Sequence, residues 1–195
     1  PAELVAIRHD AVVLMAIGSI EGIAAGDRVE ASGESPKLEL RRGLIGRVDD
    51  CNGRPIDGGG AIVGPRKRVD LAGLIPNPLQ RQRILDPLDL GVRALVTMLT
   101  CGRGQRVGIM AGSGVGKSTL LGMLARGTNA DVVVVGLIGE RGREVREFLE
   151  DDLGPDGRAR SCVVVATSDE PALVRRRAAF TATRIAEHFA DQGKN

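Results

Sequence analysis

Apolar positions change their spacing part-way along the chain. Up to about residue 34 they come in short runs broken by glycine: Leu4 to Ile7, Ala11 to Met15 and Asp27 to Glu30, parted by Arg8-His9-Asp10, Gly18-Ser19, Gly22 and Gly26. Runs about 8–12 residues apart predict the strands of a small sheet or barrel. So short a stretch cannot close a barrel, and it reads as the end of one. The cluster Ala31-Ser32-Gly33-Glu34-Ser35-Pro36 marks a boundary, which gives units of residues 1–34 and 35–195. A further strand is expected at Leu44 to Val48, then a turn at Asn52-Gly53 and a loose connection at Gly58 to Gly60.

From residue 71 the spacing lengthens. Asp86-Pro87 is a helix-start signal, since proline fits a first turn that has no intrahelical N–H bond to make. Leu88, Val92, Leu95, Val96 and Leu99 supply the apolar stripe and Gly102 a stop. Apolar runs and helical segments then alternate. Val107 to Met110 reads as a strand, followed by a glycine loop and a helix through Leu120, Leu121 and Leu124. Val132 to Val135 with Leu137-Ile138 reads as a strand buried on both faces. A helix carrying Val145, Phe148 and Leu149 follows, then a strand at Cys162 to Ala166 and a helix from near Ser168-Asp169-Glu170-Pro171 to about Phe189. Repeated βαβ units predict an α/β fold with a mainly parallel sheet and right-handed crossovers.

Composition narrows the classes. Among 195 residues there are 27 glycines but only three Phe, no Tyr and no Trp, and the formal charge is +2. A base-stacking platform needs aromatic faces, and a phosphate-backbone binder needs a broad basic footprint; neither is present, so no nucleic-acid partner is expected. Cys51, Cys101 and Cys162 form no CxxC pair, and His9 and His188 sit at opposite ends. Reduced thiols are expected rather than zinc or disulfides. No apolar run reaches the ~18 residues of a membrane span. The chain opens on Pro1 rather than Met, as a piece of a longer product would.

Ala111-Gly112-Ser113-Gly114-Val115-Gly116-Lys117-Ser118-Thr119 fits the Walker A pattern with Ala at its first glycine position. Glycines let successive N–H groups curl around phosphate oxygens, and the following helix points its positive end at them. Gly112, Ser113, Gly114, Val115 and Gly116, with Lys117, Ser118 and Thr119, are therefore the candidate nucleotide-binding residues. Lys117 offers its charge to the β- and γ-phosphates, and the Ser118 hydroxyl is the candidate Mg²⁺ ligand. A chance glycine-rich turn would lack the expected strand before the loop and amphipathic helix after it.

The run Val132 to Ile138 ends in Gly139-Glu140-Arg141-Gly142-Arg143-Glu144. Ligands of open α/β sheets gather at the carboxyl ends of strands, which makes Glu140 a candidate to polarise water and Arg141 a candidate contact for a γ-phosphate. By placement alone a helix-start carboxylate and an exposed arginine account for the pair equally well. Arg143/Glu147 and Arg146/Glu150 are spaced as i,i+4 ion pairs. Arg175-Arg176-Arg177 reads as the side of an exposed helix, with a subunit contact or acidic lipid as the sharper alternative.

These residues resemble the flagellar and type III secretion export ATPases, relatives of the rotary ATP synthase catalytic subunit. The resemblance covers residues 1 to 195. It rests on Leu44-Ile45-Gly46-Arg47-Val48-Asp49, Pro76 to Arg81, Gly102 to Arg106, the glycine loop, Gly136 to Val145 and Ala186 to Phe189. The run at 139–145 discriminates best: the synthase catalytic subunit has Thr where this chain has Gly142, and its non-catalytic partner has Gln where this chain has Glu140. Val96 departs from the Asp or Asn associated with its position, away from the phosphate loop.

The resemblance implies a P-loop (RecA-like) ATPase core, truncated here before the Walker B strand and preceded by the end of a small β-barrel domain. It implies ATP and Mg²⁺ bound through Lys117 and Ser118, water activated by Glu140 and the γ-phosphate sensed by Arg141, so that Glu140, Arg141 and Lys117 form the catalytic set. The parent protein is expected to be a homohexamer on the cytoplasmic face of an inner-membrane export apparatus. Its expected partners are stalk and stator proteins, chaperone–substrate complexes and a peripheral membrane contact. The 195-residue chain by itself is expected to bind nucleotide weakly and turn it over poorly. Rival readings are a non-hydrolysing nucleotide-binding ring subunit, a catalytic subunit of a rotary ATP synthase, and a ring-shaped nucleic-acid motor.

Overall fold

The computed structural model of the chain describes every residue except Leu74 and Ser113. Its centre is a parallel three-stranded sheet. Strand β9 (Ser161–Ala166) lies between β8 (Val133–Ile138) and the two-residue β4 (Val48–Asp49). Val133 pairs with Ser161 and Ile138 with Ala166; Val48 pairs with Val163 and Asp49 with Val164. The unbroken apolar runs at 133–138 and 162–166 are what a strand covered on both faces requires. Cys162, Val163 and Val164 are accordingly fully buried.

One face is covered by α5 (Ala172–Ala190), whose Val174, Ala178, Ile185 and Phe189 pack with Cys162 and Val164. This core continues into an antiparallel ribbon of β3 (Lys37–Leu40) and β5 (Lys67–Asp70), through Leu38 and Leu40. The other face is covered by α2 (Lys117–Gly127), through Ala125, and by Phe148 and Leu153. The helix expected around Val145 and Phe148 is interrupted. It runs as α3 (Gly142–Glu147), a π-helical turn at Phe148–Leu153 and α4 (Gly154–Ala159).

Gly122 lets α2 and the π turn meet. A Cβ there would lie 2.5 Å from the carbonyl oxygen of Asp152, a backbone atom with no rotamer by which to escape. Gly122→Ala should therefore cost about 1–3 kcal/mol and lower the melting temperature by several degrees. An unchanged melting curve would show that α2 shifts freely.

Several expected elements are absent or moved. The early runs give a two-stranded antiparallel hairpin, β1 (Ala2–Ile7) with β2 (Val12–Ala16). Asp27 to Glu30 is not a strand, and among the described residues no closed barrel is found. Leu44 to Val48 is a 3₁₀ turn at Arg42–Leu44 leading into β4 rather than one strand. The turn at Asn52-Gly53 forms as expected, with the Gly53 N–H donating to the Asp50 carbonyl at 3.0 Å.

Pro87–Leu88 forms a short strand, β6, against β7 (Cys101–Gly102), and the helix starts later, as α1 (Arg93–Met98). The missing N–H that suits Pro87 to a helix start equally suits a short edge strand. Gly102 belongs to β7 and does not end the helix. Val107 to Met110 makes no ladder at all, and Val107 and Met110 are 58% and 96% exposed. A strand is stabilised by its neighbours, and among the described residues none pairs with this run.

The Gly58–Gly60 connection is tied down. Arg47 donates from Nε and Nη2 to the two carboxylate oxygens of Asp57 at 2.8 and 2.7 Å, and from Nη2 to the Gly60 carbonyl at 2.7 Å. The Arg47 guanidinium holds the Asp57 carboxyl well below the usual carboxylate range. Of the two i,i+4 pairs, Arg146–Glu150 forms at 2.7 Å. Arg143 and Glu147 are not paired among the described residues.

The arginine run does not share one exposed side. Arg176 is 65% exposed, whereas the Arg177 side chain is 11% exposed and pairs with Glu3. Consecutive helical residues point about 100° apart, so three in a row span about 200° and do not share one side. Cys51, Cys101 and Cys162 are free and buried, and burial pushes the Cys162 thiol up to about 12. No helix among the described residues is long and apolar enough to cross a membrane.

Candidate active site

Two segments distant in sequence meet at the carboxyl end of the sheet. The first is the glycine loop. Gly114 and Gly116 take φ of +73° and +92°, and α2 begins at Lys117 directly after Gly116. A side chain at either φ would be strained. Because Gly116 offers no capping side chain, the first N–H groups of α2 lack the partners a Ser or Asp cap would supply. A Cβ added at Gly112, Gly114 or Gly116 would meet no atom within 4 Å. The loop thus rims open space, and among the described residues the N–H groups of Gly114 to Thr119 have no backbone acceptor, an arrangement suited to an anion.

The second segment is the end of β8. Gly139 turns the chain out of the strand with φ +82°, and its N–H donates to the Ala166 carbonyl at 2.7 Å. The Ser168 N–H donates to the Glu140 carbonyl at 2.9 Å. These two bonds anchor the backbone of Glu140 to the chain leaving β9. Its carboxylate Oε1 then lies 3.3 Å from Lys117 Nζ, with the two side chains 31% and 42% exposed. Twenty-three residues separate the pair in sequence; α2 and the return through β8 bring them together.

The other candidates are placed less uniformly. Val115, 66% exposed, stands on the rim of the loop. Ser118 and Thr119 occupy the first turn of α2, and their hydroxyls have no hydrogen-bond partner among the described residues. Ser113 lies outside the described residues. Arg141 is not brought to Lys117: it is 68% exposed and its Nη1 donates to Glu144 Oε1 at 3.2 Å.

Sequence reasoning passed over the Gly139 and Ser168 anchors, because a backbone hydrogen bond across two strand ends leaves no mark in residue type. Nearby, the Thr167 hydroxyl holds the Asp169 carboxyl below its ordinary value. Among the described residues no group of three His, Cys, Asp or Glu could hold a metal ion. A divalent cation here would take the Ser118 hydroxyl together with oxygens of the nucleotide it accompanies. The open loop and the uncommitted hydroxyl fit that arrangement.

Residues 91–195 match the ATP synthase alpha/beta family, nucleotide-binding domain. The chain belongs to this family. Within the family it is similar to the export branch. It is 52% identical to the flagellum-specific ATP synthase of Bacillus subtilis over 194 residues, all of this chain and 44% of that protein. It is 47% identical to the type 3 secretion system ATPase of Xanthomonas euvesicatoria over 192 residues, 98% of this chain and 43% of that protein.

Among solved structures, the assembled ATPase EscN of the enteropathogenic E. coli type III secretion system matches all of this chain and 47% of its own, with TM-score 0.90 and 49% identity. EscN in complex with its central stalk EscO matches with TM-score 0.88. The α/β architecture is therefore that of the family's nucleotide-binding domain. The chain spans less than half the length of the curated relatives it matches.

Proposed function

We propose that the protein to which this chain belongs hydrolyses ATP to energise protein export through a flagellar or type III secretion apparatus. The observation that carries the reading is the Lys117–Glu140 pair at the mouth of the glycine loop. The Lys117 ammonium lies 3.3 Å from the Glu140 carboxylate. Phosphates seated on the loop and on the first N–H groups of α2 draw the ammonium to themselves. That releases the Glu140 carboxylate to orient a water and take its proton during in-line attack on the γ-phosphorus. Ser118 would hold the Mg²⁺ that accompanies the nucleotide and neutralises charge on its phosphates.

Arg141 sits one residue beyond the base and would leave Glu144 to meet the γ-phosphate. Gly112 to Thr119 form the phosphate cradle. Residues 35–195 are the first part of the nucleotide-binding domain, and 1–34 the close of a preceding β domain. The likeness to assembled EscN and to its complex with a stalk protein supports a homohexamer that engages a stalk. Stator proteins and chaperone–substrate complexes would be further partners, at the cytoplasmic face of the inner membrane with a peripheral membrane contact.

The test is equilibrium binding of Mg·ATP to the chain. Lys117→Ala should weaken affinity at least about tenfold, the scale of one charge-assisted contact. Equal affinity in the two proteins would remove the loop as the phosphate site.

A further inference from the structure

A cleft of about 480 Å³, lined by none of the glycine-loop residues, opens between the β3–β5 ribbon, the turn after β4 and α5. Lys37, Arg41, Arg54, Arg68 and Arg177 line it, and among the described residues Glu39 is its only acidic wall residue. Glu39 is already shared: Arg41 lies 3.1 Å away, Arg68 3.3 Å and Arg66 3.6 Å. Glu3 likewise serves both Arg176 and Arg177, at 3.3 and 3.2 Å. Two carboxylates thus meet five guanidinium groups. Lys37 and Arg54 have no acidic partner among the described residues, and Asp70, opposite Lys37 in the ribbon, takes the Ser35 hydroxyl at 2.5 Å.

A cluster of solvated surface charges would be spread out and mobile. Here two of the cations are fixed. The Arg41 side chain is 17% exposed and donates to the Ile62 carbonyl, and the Arg177 side chain is 11% exposed with its Nε unpartnered. Desolvated, pre-positioned guanidinium groups are costly to leave unneutralised and suit the tetrahedral oxygens of phosphate. Apolar wall from Ile62, Ala61 and Pro55 concentrates their field in the cleft. With a formal charge of only +2 on the whole chain, this excess is local.

We propose that this cleft is a second anion site, separate from the glycine loop, for a compact ligand carrying two or more phosphate groups. Among the described residues no aromatic ring lines it, so the phosphates rather than a nucleobase are recognised. The same chemistry is offered by a soluble polyphosphate and by a multiply phosphorylated or cardiolipin-like lipid headgroup.

Tripolyphosphate titrated into the ¹⁵N-labelled chain should shift the amides of Asn52, Gly53 and Arg54. It should do so equally in Lys117→Ala, which separates this site from the loop. Lys37→Gln with Arg54→Gln should weaken that response about tenfold or more, while shifts at Gly114 to Ser118 persist as a check on folding. A parallel arm sediments the protein with phosphatidylcholine vesicles with and without cardiolipin. Sedimentation lost in the double variant, with no response to tripolyphosphate, assigns the site to a lipid headgroup. If neither probe acts on the cleft, or the double variant responds like the parent, the proposal is overturned.

Discussion

Glu140→Gln is expected to lower ATP turnover by the full-length protein about 10²–10⁴-fold, the range for removing a general base. Nucleotide affinity should stay within a few-fold of the parent or rise. Both expectations come from the same 3.3 Å contact between Glu140 and Lys117. Gln keeps the shape and the backbone anchors at Gly139 and Ser168, but its amide cannot accept a proton from water. It also gives up the charge that holds Lys117, leaving the ammonium to the phosphates. Lys117→Ala should do the reverse and lose binding first. A split of this kind, kcat falling in one variant and affinity in the other, separates a base from a mere counter-ion. If Glu140→Gln retains more than about a tenth of the parent turnover, Glu140 is not the base, and the reading as a non-hydrolysing ring subunit gains.

β8, β9, α2 and α5 were legible because each carries a long pattern that a single environment explains: unbroken apolar runs for strands covered twice, and helical spacing for α2 and α5. The glycine loop was legible because its conformation demands glycine and its charge demands lysine. Val107 to Met110 carries as clear a strand pattern as β9 but lies outside the sheet, since pattern describes what a segment can join and not whether a neighbour is present. The stripe from Leu88 to Leu99 suits a helix, yet β6 and β7 compete for its two ends. Arg177 was read as exposed because charge alone says nothing of which helical face turns to the core. The place of Glu140 near the glycine loop follows from the rule that sites gather at strand ends, but its contact with Lys117 has no signature in the sequence. The turning of Arg141 toward Glu144 was not legible either, because rotamers of exposed arginines have no sequence signature.

Asp49 offers the second large effect. It is 0% exposed, and neither carboxylate oxygen has a hydrogen-bond partner among the described residues. In β4 it pairs with Val164, so it faces the core that α5 covers rather than the Arg47–Asp57 pair that could have solvated it. Burial pushes its carboxyl from 3.8 up to about 6; Arg47 draws it down, while Asp57 and Asp50 oppose that pull. The unfolded chain therefore releases this proton near pH 4, and the folded chain holds it until about 6. Between those values the folded state binds more protons than the unfolded one, so stability falls as pH rises and is flat on either side. The difference amounts to about 3 kcal/mol at neutral pH, from ~1.4 kcal/mol per pKa unit.

Asp49→Val places an apolar group of similar size on that face and has nothing to ionise. At pH 7.5 it should raise the melting temperature of the chain by on the order of 10 °C. The advantage should shrink through the interval from pH 6 to pH 4, below which wild type keeps the acid neutral in both states. Asp49→Asn removes the same pH dependence but keeps an unpartnered polar group, so it should fall between wild type and the valine variant. Asp57, whose carboxyl is depressed by Arg47, works with the opposite sign and costs stability only in stronger acid, in all three proteins alike. Comparing variants at each pH cancels its contribution. A melting difference between Asp49→Val and wild type that stays constant from pH 4 to 7.5 would mean that Asp49 is ionised in the core at every pH, or reaches solvent.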